Sequence, residues 1–480
     1  MFLSVRESII WLQLGRAMFY IENDPVSKAM CDPTTDKQVI PLRTADPTPE
    51  SARQVAPARP QKQIILLTTA LTYRAQPFLE AARRLGLEVV RAVDMPQKLA
   101  EYWRLPLGVE FGQPEKAAQA LVAYAETHPV QAIIPVDDSG SLIAAMASEA
   151  LGLAYNSSQA ALAARNKYEM RRAFARAGVP SPPFHCHAIH EDPGEIAATV
   201  DYPTVLKPLL LSGSRGVIRA DNPAEFTAAF ERTRRLLGST GADPDSQKLL
   251  VEGYIPGVEV ALEGILTGGR LQVLALFDKP DPLEGPFFEE TIYVTPSRLP
   301  EATQAQIAAC AGQAAAALGL RTGPVHAELR VNDQGPWMLE IAARSIGGYC
   351  SKTLRFDMDV SLEELILRQA AGMDIEGFKR DERAQGVMMI PIPRVGILRE
   401  VAGVEAAEAL PGVDEVQITI PLNNLLVPLP EGASYLGFIF ASGDSPELVE
   451  EALREAHRHL HFEIEDQLPV LNDTLDTGVF

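Results

Sequence analysis

The chain has 480 residues, a formal net charge of −20 and 46% hydrophobic residues, enough for about two to four domains with ample cores. The acidic balance argues against a general nucleic-acid surface and against an anionic-membrane binder, since both need a basic face. Cys31, Cys186, Cys310 and Cys350 form no C-x-x-C pair, so a reducing cytoplasm is the simplest setting. No run reaches the ~18 apolar residues of a spanning helix.

The apolar patch Ile9-Ile10-Trp11-Leu12 follows Arg6 and Glu7, but no small-residue cleavage site comes after it, so a signal peptide is not indicated. Residues 1–61 are expected to be an N-terminal extension and linker, with Pro, Thr, Ala and charge concentrated over 35–61. The run Gln63–Leu67 has the form of a buried parallel strand. The pattern then predicts a helix from Gln76 to Leu85, a strand from Leu87 to Ala92, a helix from Ala117 to Thr127 and a strand from Ala132 to Val136. This alternation predicts a doubly wound α/β domain over residues 62–160. No G-x-G-x-x-G follows the first strand, which leaves a dinucleotide site unsupported. Asp137 and Asp138 end the last strand; a helix N-cap is one use for them, a substrate contact another.

Lys167 opens a basic helix running to Ala177, and charge runs of this kind usually line a solvated face. His185-Cys186-His187 places two histidines on one face of a strand, but a zinc site wants about four converging ligands and none completes the set nearby. A strand Thr204–Lys207 leads into Ser212-Gly213-Ser214-Arg215-Gly216, where glycines permit close backbone approach. This is not a Walker A loop. A helix over Ala224–Leu237 and a strand from Leu249 follow, running into Glu252-Gly253-Tyr254-Ile255 and Glu259. Val260–Ile265 and Leu271–Leu276 read as a hairpin over Thr267-Gly268-Gly269. A long loop reaches Glu290, and an alanine-rich helix spans Ala302–Leu318.

The stretch Gly323–Gly348 then reads as two strands joined by Asn332-Asp333-Gln334-Gly335. Glu328 and Glu340 face one another across it and would repel unless a cation lay between them. Alternation places Glu340 with Met338 in a cleft and Leu339 with Ile341 in the core. His326 shares the face of Glu328. All-oxygen ligation suits Mg²⁺, which takes one or two carboxylates plus nucleotide phosphates. Arg344 adds a guanidinium fork suited to a phosphate or acyl phosphate. Ser361–Glu364 is a capping box. Strands over Gly386–Pro391, Val416–Ile420 and Tyr435–Ala441 and a helix over Glu447–Leu460 form a last α/β unit, with a tail over 471–480.

A strand lysine, a small-residue loop, an E-G-Y-I-x-G-x-E stretch and a final E…E-x-x-x-R hairpin, in that order, resemble the ATP-grasp superfamily and its L-amino acid ligase-like branch over about residues 62–465. The resemblance implies a pre-ATP-grasp α/β domain at 62–160, an ATP-grasp domain at 161–380 with a mobile flap over about 195–255, and a ligase-type α/β domain at 381–470. It implies ATP as substrate with Mg²⁺ (or Mn²⁺). Lys167 and Lys207 would contact phosphates, and Ser212, Gly213, Ser214 and Gly216 would cover them. Glu252, Gly253, Tyr254 and Ile255 would meet adenine, and Glu259 the ribose hydroxyls. Glu328 and Glu340 would hold metal, and Glu340 and Arg344 would act at the transferring phosphate.

The implied activity is joining a carboxylate to an amine, or a thiol, through an acyl phosphate, with release of ADP and phosphate. Small-molecule acids and amines are the expected partners; a homo-oligomer stays open. One departure stands out: Ala342 occupies the usual Asn position and cannot ligate metal. It keeps a non-catalytic ATP-binding module among the alternatives. A bicarbonate-activating carboxylase resembling biotin carboxylase is another, weakened by the lack of a biotin-carrier Ala-Met-Lys-Met motif.

Overall fold

Continuous apolar runs and alternating ones divide the chain into different sheets. The computed structural model describes residues 63–70, 72–238 and 244–466; the extension, linker and tail expected at 1–61 and 471–480 lie outside them.

The run Gln63–Thr68 (β1) is buried on both faces and lies between β2 (Val89–Asp94) and β4 (Val130–Pro135), with β3 (Leu107–Val109) outside β2. All three pairings are parallel, as expected of strands linked through crossover helices. The helix Asp138–Leu151 starts where β4 ends, so its first turn and Arg74 from the β1 crossover stand at the carboxyl edge of the sheet. Asp137 holds the N-cap position, but its side chain makes no capping bond.

The second sheet is antiparallel, in the order β5 (Phe184–Ala188), β8 (Lys248–Gly253), β6 (Thr204–Pro208), β7 (Ile218–Ala220). The helix Pro223–Leu237 covers it, burying Phe226 and Phe230. Asn222 starts that helix by accepting the Glu225 N–H at 3.1 Å, and Pro223 sits in the first turn where no N–H is needed. The sheet that holds the segment expected as a flap over about 195–255 also includes β5, which pairs along β8 from Phe184. His185 and His187 lie on that strand with rings 6.4 Å apart, and His187 pairs with Glu191 at 3.1 Å.

The third sheet carries the hairpin. Its order is β13 (Gly335–Ala342), β12 (Gly323–Asn332), β9 (Val258–Thr267), β10 (Arg270–Lys279), β11 (Ile292–Thr295), β16 (Ala384–Ile390), β20 (Gly437–Gly443), β18 (Val413–Ile418). The alanine-rich helix Glu301–Leu318 packs on one end, with Ile307, Ala311, Ala314 and Leu318 in the core beside Leu329 and Met338. Small side chains let that helix approach closely. The helix Pro446–His459 covers the other end through Val449 and Leu453. Between them, β14 (Arg355–Phe356) pairs with β15 (Val360–Ser361), and the Ser361 hydroxyl accepts the Glu364 N–H at 3.2 Å. A three-stranded sheet of β19 (Leu425–Leu426), β17 (Gly396–Ala402) and β21 (His461–Glu465) completes the fold. No helix among the described residues is long and apolar enough to cross a membrane.

Candidate active site

A cavity of about 920 Å³ lies where these parts meet. Its lining includes Asp138 of the first domain, Lys207 and Ser212 of the flap, Glu328 and Glu340 of the hairpin, and Phe438 of β20.

The hairpin register places Glu328 directly opposite Glu340, as the sequence predicts. One residue further the register slips. A bulge at this point leaves Leu339 without a cross-strand partner and reverses the expected alternation. Met338 is fully buried in the core, while Leu339 and Glu340 both line the cavity. Ala342 stands opposite His326.

Each carboxylate is met by a protein cation. Lys167, in the first turn of the helix Lys167–Ala177, is buried and reaches Glu340 at 3.2 Å and the Leu211 carbonyl at 2.8 Å. Asn166 holds that helix start by accepting the Tyr168 N–H at 3.0 Å. The basic run is thus not simply a solvated face: Lys167 and Arg171 turn inward, while Arg172 pairs outside with Glu169.

Lys207 points from β6 to Glu252, 2.8 Å away, and Arg171 closes an ion pair on the same carboxylate. Burial would push the Glu252 carboxyl up, but Arg171 and Lys207 outweigh it and hold it below its ordinary value. The Glu252 side chain is thus held by Arg171 and Lys207, which leaves the main chain of this stretch to make the expected contacts to adenine. Gly253 and Tyr254 donate their N–H groups to Pro183 and Pro203. The Ile255 carbonyl accepts from Arg330 at 3.0 Å, as does the Tyr254 hydroxyl at 2.8 Å. All four residues still border the cavity.

In the small-residue loop, Gly213, Ser214 and Gly216 have φ of 64°, 54° and 72°. Ser212, Gly213 and Ser214 line the cavity. Gly216 instead donates its N–H to the Pro430 carbonyl, facing the C-terminal part of the chain.

A second cluster surrounds Lys279, the last residue of β10. Its ammonium lies 2.8 Å from Glu259, 3.0 Å from Glu290 and 2.9 Å from Glu328. Burial alone would make it easier to deprotonate, but the three carboxylates raise it well above its ordinary value. Burial and the neighbouring Glu328 push Glu290 up to about 7. Glu259 also takes Arg330 at 3.0 Å, so the carboxylate expected at a ribose is already bracketed by two cations. His326 lies 3.3 Å from the buried Glu263 and 3.7 Å from Glu328. Burial would lower its basicity, yet those two acids raise it to about 9.

Arg344 pairs with Asp138 at 2.8 Å and donates to the Ser345 carbonyl at 3.0 Å. Burial works against both charges; each nevertheless keeps its charge through the other. Arg74 reaches the Ser345 hydroxyl at 2.6 Å and Asp137 at 3.5 Å. The two aspartates at the strand end thus stand beside the hairpin's arginine.

Sequence reasoning missed Lys279, Glu290, Arg171 and Arg330. Lys279 carried a usable signal. It is two residues after the buried Phe277 on a strand, so it shares that inward face. Arg171 had one too, four residues after Lys167 on the same helix face.

Fold and cleft together place a cavity lined by both lysines and carboxylates between the β5-β8-β6-β7 sheet and a large antiparallel sheet. Two family matches sharpen this: an ATP-grasp domain over residues 200–353, and L-amino acid ligase C-terminal domain 2 over residues 388–465. The L-amino acid ligase from Bacillus licheniformis superposes with a TM-score of 0.71 at 25% identity, covering 85% of this chain and 100% of that one. Alanine–anticapsin ligase of Bacillus subtilis (strain 168) is 28% identical over 53% of this chain and 56% of its own length. An uncharacterised protein of Sinorhizobium fredii is 26% identical over 62% of this chain and 61% of its own. These curated relatives are thus matched over less than two thirds of their length. The chain thus carries an ATP-grasp domain followed by an L-amino acid ligase C-terminal domain, and is L-amino acid ligase-like.

Proposed function

We propose that the protein is an ATP-dependent ligase that forms a carbon–nitrogen bond between a small carboxylic acid and an amine, both amino-acid-like. The observation that carries this is the in-register pair Glu328–Glu340, flanked by Lys167 and Lys279 and sharing one cavity with Lys207 and Arg344. A carboxylate is a poor electrophile, so amide formation needs it activated. In the proposed reaction a carboxylate oxygen attacks the γ-phosphorus of ATP, the bond to the β-phosphate oxygen breaks, and ADP leaves. The amine then attacks the acyl carbon of the resulting acyl phosphate. The C–N bond forms, phosphate departs with the C–O bond electrons, and the ammonium proton passes to phosphate or solvent.

This chain's part is positioning and charge neutralisation. Lys167 and Lys207 would meet phosphate oxygens, giving up part of their present ion pairs. Ser212, Gly213 and Ser214 would close over the phosphates from the flap. Gly253, Tyr254 and Ile255 border the place for the base, and Glu259 the place for the ribose. Arg344 would hold the substrate carboxylate or the transferring phosphoryl group with its bidentate fork. The donor set of Glu328 and Glu340 is all carboxylate oxygen, which fits Mg²⁺ (or Mn²⁺). Bound there, the ion would neutralise charge on the phosphates.

The test is ADP release with Mg²⁺ and mixtures of amino acids, with hydroxylamine added to trap an acyl phosphate as the hydroxamate. Hydroxamate formation together with amino-acid-dependent ADP release is the expected result. Background release with every mixture would overturn the ligase reading.

A further inference from the structure

Beyond the charged end, the same cavity runs into a group of rings that the proposed chemistry does not use. Tyr73 stacks on Tyr349 with centroids 4.1 Å apart, and Tyr349 meets Phe438 edge-on at 4.9 Å. Tyr435 lies 6.2 Å from Phe438, and Met389 and Cys350 complete the lining. The 4.9 and 6.2 Å spacings are those of favourable aromatic pairs, and the Tyr73–Tyr349 stack is closer still. The group is not simply core, because Tyr73 is 40% exposed.

The backbone is bent to make the chamber. Tyr349 has φ 55° and Gly348 has φ 60°; a bulky residue in the left-handed region is uncommon and costs free energy. A Cβ on Gly348 would fall 2.5 Å from the Met389 sulfur and would sit at φ 60°, so a side chain there would displace Met389 and strain the backbone. Gly348 in turn donates its N–H to the Tyr73 hydroxyl at 2.8 Å. The chamber adjoins the anion-binding end through neighbouring residues: Arg74 follows Tyr73 and bonds Ser345, which follows Arg344.

We infer that one of the two joined substrates is an amino acid with an aromatic side chain, its ring seated among Tyr73, Tyr349, Tyr435 and Phe438 and its carboxylate toward Arg74 and Arg344. This rests on the ligase reading and names a substrate class for it. A ring offers the walls both stacked and edge-on contact, which a methyl group cannot.

Two measurements test it. The first compares kcat/KM for phenylalanine and alanine as the varied substrate in ADP release. Phenylalanine is favoured by on the order of 10²-fold. Tyr73→Leu cuts that ratio by about 10-fold, and Tyr73→Phe, which keeps the ring, largely preserves it. The second needs no turnover: calorimetry of phenylalanine and of alanine binding to the full chain with ADP and Mg²⁺. Tighter phenylalanine binding, weakened in Tyr73→Leu, supports the chamber even where no ligation is detected, so failure of the chemistry and failure of the chamber are told apart. Equal binding of the two amino acids, no binding of either, or a Tyr73→Leu ratio equal to wild type overturns the inference.

Discussion

At the scale of single residues, Glu340 and Glu252 look alike in the sequence and are opposites in the structure. Glu340 lines the cavity and keeps part of its surface in contact with solvent, while Glu252 is sealed between Arg171 and Lys207. Glu340→Gln keeps size and loses charge. Its partner Lys167 retains the Leu211 carbonyl, so the fold should hardly notice. We expect phosphate release at saturating ATP and Mg²⁺ to fall by on the order of 10²-fold with the apo melting temperature nearly unchanged. Near-normal turnover would remove this hairpin from the metal site. Glu252→Ala should do the reverse and act first on stability, by about 3–5 kcal/mol in denaturant unfolding, because it strands the buried Arg171 guanidinium. The Glu252 carboxyl is held below its ordinary 4.5 when folded. Its stabilisation is therefore present above pH 4.5 and lost as pH falls through the lower folded value. Wild type should lose stability over that acid range more steeply than Glu252→Ala; matching slopes would show the pair contributes nothing. The opposition of Glu328 and Glu340 was expected from the pattern, but the turn alone would set Glu328 against Leu339; the bulge at Leu339, which no local signal marked, brings Glu340 opposite it. The destiny of Glu252 was not legible, because its partner Arg171 lies far back along the chain and only the tertiary fold joins them.

Among the elements, the flap loop is the one whose role changes most once its neighbours are known. Its glycines were legible as a place of close backbone approach. What Gly216 approaches was not, since the Pro430 carbonyl comes from the far end of the chain. Arg215 donates to the Glu431 carbonyl at 3.0 Å, and Arg232 grips the Glu431 carboxylate at 2.6 and 2.8 Å. The C-terminal loop thus holds the flap over the cavity. The Arg232–Glu431 pair is more than a third exposed on both sides, so its net worth is small, below about 1 kcal/mol. Glu431→Ala should raise KM for ATP a few-fold with little change in kcat, and added salt should shrink the difference from wild type. Gly216→Ala is the harsher change. A Cβ there would lie 2.6 Å from Pro208 at φ 72°, and the left-handed backbone itself costs about 1–2 kcal/mol with a side chain. KM for ATP should rise about 10-fold or more as the loop shifts. An unchanged KM in both variants would mean that the flap closes without this contact.

For the molecule as a whole, the sequence marked out three α/β regions because strand and helix signals are local. Which strands share a sheet is decided by long-range pairing that no local pattern records. The break expected at residue 381 falls just before β16, yet β16 bonds directly to β11, and β20 and β18 extend the same sheet that begins at the hairpin. The C-terminal part also supplies Phe438 and Tyr435 to the cavity wall. The sheet crosses the expected domain boundary, through the Asp278–Val294 pair between β10 and β11 and the four-residue ladder between β11 and β16, and parting β11 from β16 would expose both edges and the buried Val294 and Val387 together. The flap is different: its sheet shares no strand with the large one and is tied to it by loop and side-chain contacts, among them Gly216–Pro430, Ile218–Phe287 and Arg219–Pro286. Native-state hydrogen exchange should therefore separate the molecule into two classes rather than three. Amides of β16 and β20 should exchange with the same opening free energy as those of β9 and β12, and amides of β6 and β7 should exchange faster, slowing when ATP and Mg²⁺ are added. Early, independent exchange of β16 and β20 would show that the C-terminal part opens by itself and that its side of the cavity can leave without disturbing the acidic hairpin.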